Sequence, residues 1–293
     1  MSKTVNQPTY KRQRFLLLFV RQFNGGVTAA DLQKLMFLHT MAGYSDYYEF
    51  VPYQFGPYSF RLNEDVAILE RDGFVAMDSV RHGPRIRAVE MFRTEVPLQI
   101  APERGNALTR RAYREHPYYA INSEITGELF EGDELEQFKR RQEVYAQNDP
   151  VLYTVGYEGK GIEAFINSLI QNNVRLLCDV RKNPLSRKFG FSKGILGHIA
   201  QGVGIRYVHI PHLGIDSAKR RSLDQPQDYQ RLFADYKETL ATRRNHLNTV
   251  YTLFLSDARV ALMCFERDPQ WCHRHVIRDY FVETRQIRSV DMS

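Results

Sequence analysis

LMCFERDPQWCHRHVI, residues 262–277, is the stretch whose reading decides the fold of the chain around it. The apolar run from Val260 to Phe265 has the length and composition of a buried strand, Asp268-Pro269 signals a turn, and residues 272–284 have helical spacing. Strand, turn and helix in that order put Glu266 at a strand's C-terminal end. Cys272, His273 and Arg274 then fall in or near the first turn of the following helix. In open α/β sheets that edge is where ligands bind.

The same alternation extends upstream. Strands are expected at 152–155, 174–180 and 205–210, helices at 162–171, 193–201 and 227–246, and a last strand at 287–290. Strands alternating with helices of this length imply a mostly parallel sheet with right-handed crossovers. Tyr157 and Glu158 then follow the first strand, Asp179 and Arg181 end the second, residues 211–216 follow the third, and Glu266 ends the fourth.

The N-terminal part reads differently. Residues 1–9 form a polar lead-in. Phe15, Leu16, Phe19, Val20 and Phe23 fall at helical spacing before Gly25-Gly26 stops them, and Thr28 caps a second helix with Asp31 in its first turn. A third helix is expected over 60–72, then strands at 74–80 and 86–92 joined through His82-Gly83-Pro84. Helix, turn, helix, helix and a two-stranded wing is the order of a winged-helix module, with Lys11, Arg12, Arg14, Arg61 and Arg85 as candidate DNA contacts. The aromatic run Tyr44, Tyr47, Tyr48, Phe50, Tyr53, Phe55, Tyr58 and Phe60 suits either base stacking or a small core. Residues 101–150 read as a polar helical connector with Leu129, Leu135, Phe138 and Val144 inward, closed by Asn148-Asp149-Pro150. The expected organisation is a winged-helix α+β domain over 1–100, a connector over 101–150 and an α/β domain over 151–293.

The chain has 293 residues, 43% of them hydrophobic and 25% charged, as in soluble globular proteins. Its longest apolar run near the N-terminus, 15–20, is well short of the ~18 residues a membrane span needs, so no membrane is expected and the cytoplasm is the expected location. Cys178, Cys264 and Cys272 cannot all pair, which favours reduced thiols. The formal charge of +6 is uneven: residues 151–293 hold 21 Lys/Arg against 14 Asp/Glu, and residues 1–150 hold 19 against 20. The positive field lies on the second half, where it suits a polyanion or a phosphorylated small molecule.

Asp179 and Glu266 are the candidate catalytic carboxylates, although an acid two residues from Arg181 is equally a structural ion pair. Arg181, Arg187 and Arg274 are placed to hold phosphates, while Tyr157, Phe189 and Trp271 offer faces for a base. Cys264, Cys272, His273 and Asp179 raise a zinc reading. Against it, the cysteine spacing is no two-residue knuckle, and adjacent Cys272 and His273 diverge if both are helical. Cys272 near a helix N-terminus also suits a nucleophilic thiol assisted by His273 or His275, or simple packing beneath the loop. No Walker loop and no GxGxxG is present. The expected site therefore carries no metal and no cofactor.

The pieces TVGYEG (154–159), LLCDVRKNPLSRKFGFSK (176–193), IRYVHIPHLGI (205–215) and ALMCFERDPQWCHRHVI (261–277) resemble, in that order, the family called domain of unknown function 488. Residues 32–75 are similar to N-terminal segments of SocA- and Panacea-related proteins. The two-part layout resembles Brig-type antiphage DNA glycosylases. That resemblance implies a DNA-binding hydrolase that flips out a modified base of duplex phage DNA and cuts its N-glycosidic bond, with no obligate protein partner. On that reading Asp179, Glu266 and His273 are catalytic. Tyr157, Glu158, Arg181, Ser186, Arg187, Phe189, Trp271, Cys272 and Arg274 contact the substrate, and Lys182 and Lys188 hold DNA. A non-enzymatic winged-helix regulator with a ligand-sensing α/β half, and a nuclease or phosphodiesterase, are the alternatives.

Overall fold

The computed structural model describes residues 7–80, 83–89, 98–146, 148–220 and 223–292. The chain divides into two compact units, Met1–Arg141 and Gln142–Ser293.

In the first unit, α1 (Lys11–Arg21), β1 (Val27–Thr28), α2 (Ala29–Met41), the short pair β2 (Val51–Tyr53) and β3 (Gly56–Tyr58), α3 (Phe60–Arg71), β4 (Val75–Val80) and β5 (Gly83–Ala88) follow in order. The strands β1, β5 and β4 form an antiparallel sheet in that order. Local chemistry sets the helix starts: Thr28 Oγ1 accepts from the Asp31 amide at 3.1 Å, and Ser59 Oγ accepts from that of Leu62 at 3.2 Å. Gly26, at φ +78°, closes the turn after α1, where a Cβ would meet the Ile86 carbonyl oxygen at 2.8 Å. The expected elements appear, with the second wing strand beginning at Gly83 rather than after it. The expected end of that strand, beyond residue 89, and His82 lie outside the described residues, as do residues 1–6 of the lead-in.

Residues 101–141, expected to be part of a connector, lie within the first unit. The helices α4 (Gly105–Glu115), α5 (Thr126–Leu129) and α6 (Gly132–Val144) place Leu108, Ala112, Tyr113, Leu129, Phe130 and Phe138 in the same core as Leu16, Phe19, Leu35 and Leu62. Few of their positions are apolar, but those few share one face, and burying that face is what holds these helices. Val144, expected inward, is exposed.

The aromatic run is divided. Tyr48 and Phe50 are buried, Tyr53 stacks on Tyr58 at 4.9 Å, and Tyr44, Tyr47 and Phe55 stay exposed. Tyr48 also serves a polar centre. The wholly buried Asp65 carboxylate accepts from Arg12 Nε at 2.6 Å, Gln13 Nε2 at 2.8 Å and the Tyr48 hydroxyl at 3.1 Å. Arg12, expected on DNA, is therefore the counter-ion of a buried acid. Lys11, Arg14 and Arg85 remain exposed and Arg61 is half-buried, with Arg14 Nε donating to the Pro8 carbonyl.

In the second unit, β6 (Val151–Gly156), α7 (Ile162–Gln171), β7 (Leu176–Asp179), α8 (Lys193–Gly202), β8 (Arg206–His209), α9 (Pro226–Leu240), α10 (Arg244–Asp257), β9 (Arg259–Cys264), α11 (Arg274–Arg285) and β10 (Ser289–Met292) alternate as expected. The expected single helix over 227–246 is two, because a 3-10 turn at Ala241–Arg243 interrupts it and a new helix runs on to Asp257. All five strands are parallel, in the order β10, β6, β9, β7, β8. The α/β architecture read from the sequence holds. The chain leaves β7 toward β8 and leaves β9 toward β10, in opposite directions, so neighbouring loops part between β7 and β9. Parting loops at a sheet's carboxyl edge make a crevice.

Lys34, on α2, is 6% exposed, and burial lowers its amine to a pKa of about 8 despite the nearby Asp31. The unfolded chain then holds a proton that the folded one lacks between pH 8 and the ordinary value of 10.5. Stability carries the full penalty below pH 8 and recovers as pH rises toward 10.5. Lys34→Met should raise unfolding free energy at pH 7 by roughly 3 kcal/mol and flatten that rise, measured by urea denaturation of both proteins between neutral and alkaline pH.

Candidate functional site

The loops after β6, β7 and β9 meet where the crevice opens, and one glycine lets them meet. A Cβ on Gly156 would lie 1.8 Å from the Glu266 carbonyl oxygen, so the chain leaving β9 crosses directly over the end of β6. The amides of Tyr157 and Glu158 then donate to the Phe265 carbonyl at 3.1 and 2.9 Å. Gly214 plays the same part for the loop after β8, where a Cβ would lie 2.2 Å from the Lys182 nitrogen. The crevice is lined by Tyr157, Arg181, Lys182, Asn183, Ile215, Arg220, Cys264, Phe265 and His273, with a cavity volume of about 130 Å³. Pockets that enclose whole drug-sized ligands run from about 300 Å³ upward, so this one has room for a single ring.

Arg181 lines it and is held from behind by Asp179, which does not. Asp179 Oδ1 accepts from the Arg181 amide at 3.0 Å and from Arg181 Nε at 2.9 Å, while Oδ2 accepts from Arg181 Nη2 and the Tyr207 hydroxyl, both at 2.6 Å. Arg181 Nη1 donates to the Tyr157 hydroxyl at 3.0 Å and the Phe191 carbonyl at 2.9 Å. Burial, then the Asp179 charge, push the Tyr207 hydroxyl far above its ordinary pKa, so it remains a donor. Both partners are buried, and each oxygen of Asp179 already accepts two bonds. Asp179, expected to be catalytic, thus holds Arg181 and Tyr207 in this structure, and Arg181, expected on a phosphate, joins the loop after β7 to the loop after β6.

Arg274, expected on the substrate, is also internal in this structure. It is fully buried, and its guanidinium donates to the carbonyls of Glu266 at 2.6 Å and Arg267 at 2.9 Å and to Thr154 Oγ1 at 3.3 Å. It shapes the loop after β9 instead of reaching a ligand.

Glu266 follows the lining residue Phe265 and pairs with the lining residue Arg220, without lining the crevice itself. Its Oε1 accepts from Arg220 Nη1, and its Oε2 is buried with no hydrogen-bond partner among the described residues. Arg220 also donates through Nη2 to His273 Nδ1 at 2.9 Å, and His273 Nε2 lies 3.1 Å from the Val180 carbonyl. A carbonyl only accepts and a guanidinium only donates, so the imidazole proton sits on Nε2 and the Nδ1 lone pair faces the crevice. Cys264 Sγ and Cys272 Sγ lie 3.8 and 3.9 Å from the same Nδ1. The sequence expectation that adjacent Cys272 and His273 diverge fails for a local reason. Cys272 is extended, at φ −133° and ψ 133°, and α11 starts only after His273. The hydrogen bond from Cys272, and after it His273 and Arg220, hold the Cys264 thiol well below its ordinary pKa against burial. Burial above all pushes Cys272 well above its own.

Tyr157 stacks on Phe191 at 4.2 Å and meets Phe265 edge-on at 5.2 Å, so its ring is a fixed wall. Lys182 is half-exposed and ion-paired to Asp216 at 3.7 Å, and Lys188 Nζ reaches the Tyr157 carbonyl at 3.4 Å. Glu158 accepts from the Arg267 amide at 3.0 Å, outside the crevice. Ser186 accepts from the Lys188 amide at 3.1 Å within its own loop, where Arg187 is exposed and Phe189 half-buried. Trp271 packs edge-on against Tyr229 at 5.1 Å and does not line the crevice. Sequence reading missed Arg220 and Tyr207. Arg220 lies in a short polar turn, Ser217–Arg220, without periodicity, and Tyr207 sits mid-strand like any core aromatic.

Fold and crevice define an open, parallel α/β unit with its site at the sheet's carboxyl edge. Residues 161–281 match the family model described as Domain of unknown function DUF488, which spans α7 to α11 and most of the crevice. No curated protein and no solved structure matches the chain.

Arg181→Ala should lower stability by roughly 3–5 kcal/mol, since it strands a buried carboxylate, whereas Tyr207→Phe should cost about 1–3 kcal/mol; guanidinium unfolding of each variant checks the order.

Proposed function

We propose that the chain is a DNA-binding hydrolase that takes an extruded, modified base into the crevice and cuts its N-glycosidic bond. The observation that carries this reading is Glu266, a carboxylate at the sheet's carboxyl edge with one oxygen held by Arg220 and the other unpartnered. Cleavage of a glycosidic bond needs an acidic side chain that activates water or stabilises positive charge on the sugar. That oxygen is buried and has no donor among the described residues, so it is the acceptor Glu266 keeps for a proton once substrate and water are brought to it.

The volume suits one base, and Tyr157 and Phe265 supply aromatic surface to it. The sugar and phosphates then stay at the rim, where Lys182 stands and Arg187 is exposed. Asp179 acts through Arg181, holding Tyr157 in place. His273 contributes its Nδ1 lone pair as an acceptor for the substrate or for Arg220. The excess of Lys/Arg over Asp/Glu in residues 151–293 favours a polyanion, and the helix and strand order of the first unit suits a winged-helix contact with duplex DNA through Lys11, Arg14 and Arg85. No helix among the described residues is long and apolar enough to cross a membrane.

The test is incubation with duplex phage DNA carrying modified bases, followed by chromatography for free base and alkaline cleavage for abasic sites. Glu266→Gln should reduce base release by about 10²–10⁴-fold while DNA binding persists. A wild-type protein that binds this DNA yet releases no base overturns the reading.

A further inference from the structure

We propose that Cys264, Cys272 and His273 form a binding site for a thiophilic divalent cation, zinc(II) by its donor chemistry, with a fourth position that faces the crevice and is held by the Arg220 guanidinium. The three ligand atoms lie within 4.8 Å of one another. Tetrahedral zinc at its usual bond lengths would put sulfur and nitrogen ligands about 3.6 Å apart. The two thiols already stand 3.8 and 3.9 Å from His273 Nδ1, within tenths of an ångström of that sulfur–nitrogen spacing.

Three further features point the same way. His273 Nε2 donates to the Val180 carbonyl at 3.1 Å, the outer contact by which metal-ligating histidines are oriented, and it leaves Nδ1 turned to the two sulfurs. All three side chains are at most 2% exposed, which shields the ligands, yet Cys264 and His273 line the crevice, which gives an entry path. A cation is also lodged there already: Arg220 lies 2.9 Å from Nδ1 and bridges to Glu266. Arg220 belongs to a short turn, not to a core helix, and it keeps Glu266 as its partner when it withdraws. Two thiolates neutralise the incoming dication, so no charge is stranded by the exchange. Two thiolates and an imidazole with an open fourth place are the ligand set of a catalytic zinc, not a structural one. The site shares His273 and Arg220 with the glycosidic reading, but it is tested separately, because its readout is metal uptake and not base release.

The experiment titrates the full-length, untagged, reduced and metal-free protein with cobalt(II), then displaces cobalt with zinc. One equivalent should bind, with an intense thiolate-to-cobalt charge-transfer band. Cys264→Ser and Cys272→Ser should each weaken binding by at least about ten-fold, more than loss of an outer partner would. Arg220→Gln should tighten it about ten-fold by removing a competing charged donor, a gain that misfolding cannot imitate. No uptake by the wild type, uptake without the charge-transfer band, or undiminished uptake by the double serine variant overturns the proposal.

Discussion

The buried pair of Asp179 and Arg181 is the interaction on which the crevice depends. One guanidinium joins the end of β7 to the tyrosine after β6 and to the Phe191 carbonyl just before α8, and one carboxylate fixes that guanidinium with help from Tyr207. A buried ion pair is weak evidence of net stability, because desolvation of both ions opposes their attraction. Its effect is geometric. The loops of a parallel sheet's carboxyl edge have no ladder to hold them, and here a network in which both charges are satisfied replaces the ladder.

The same economy of charge extends across the site. Arg274 and Arg181 are internal struts, leaving Arg220 as the guanidinium that meets both an acid and an imidazole at the crevice. Glu266 and the two thiols share that positive neighbour. The arrangement concentrates reactive character on one wall while the opposite wall, Tyr157 against Phe191, is rigid and aromatic.

Much of this was legible in the sequence. Val260 to Phe265 and the turn at Asp268-Pro269 placed Glu266 correctly at a strand's end, because a buried parallel strand has to be a continuous apolar run. The alternation of strands and helices was equally visible. Side-chain partners were not. Nothing in LLCDVR says that Asp179 will accept four hydrogen bonds, since one donor, the Tyr207 hydroxyl, depends on tertiary placement and the Arg181 side chain need not turn back onto it. The convergence of Cys272 and His273 was hidden by a boundary: helical spacing runs back to Cys272, but the backbone there is extended. The helices of residues 105–144 read as a connector because their apolar positions are sparse, and only packing reveals that sparse positions such as Leu108, Ala112 and Tyr113 line one side. The break at Ala241–Arg243 carries no proline or glycine and so left no mark.

Gly156 has a further meaning for how this chain can vary. Its missing Cβ makes room for another segment's backbone, not for a side chain, and backbone cannot be traded for a smaller residue elsewhere. No second substitution can compensate for a first one there. The position is therefore a fixed point in sequence space, and it lies directly beneath Glu266. The wall residues Tyr157 and Phe265 can be exchanged for other shapes and so retune what the crevice accepts, while the crossing under the acid stays constant. Specificity is free to drift around an anchor that is not.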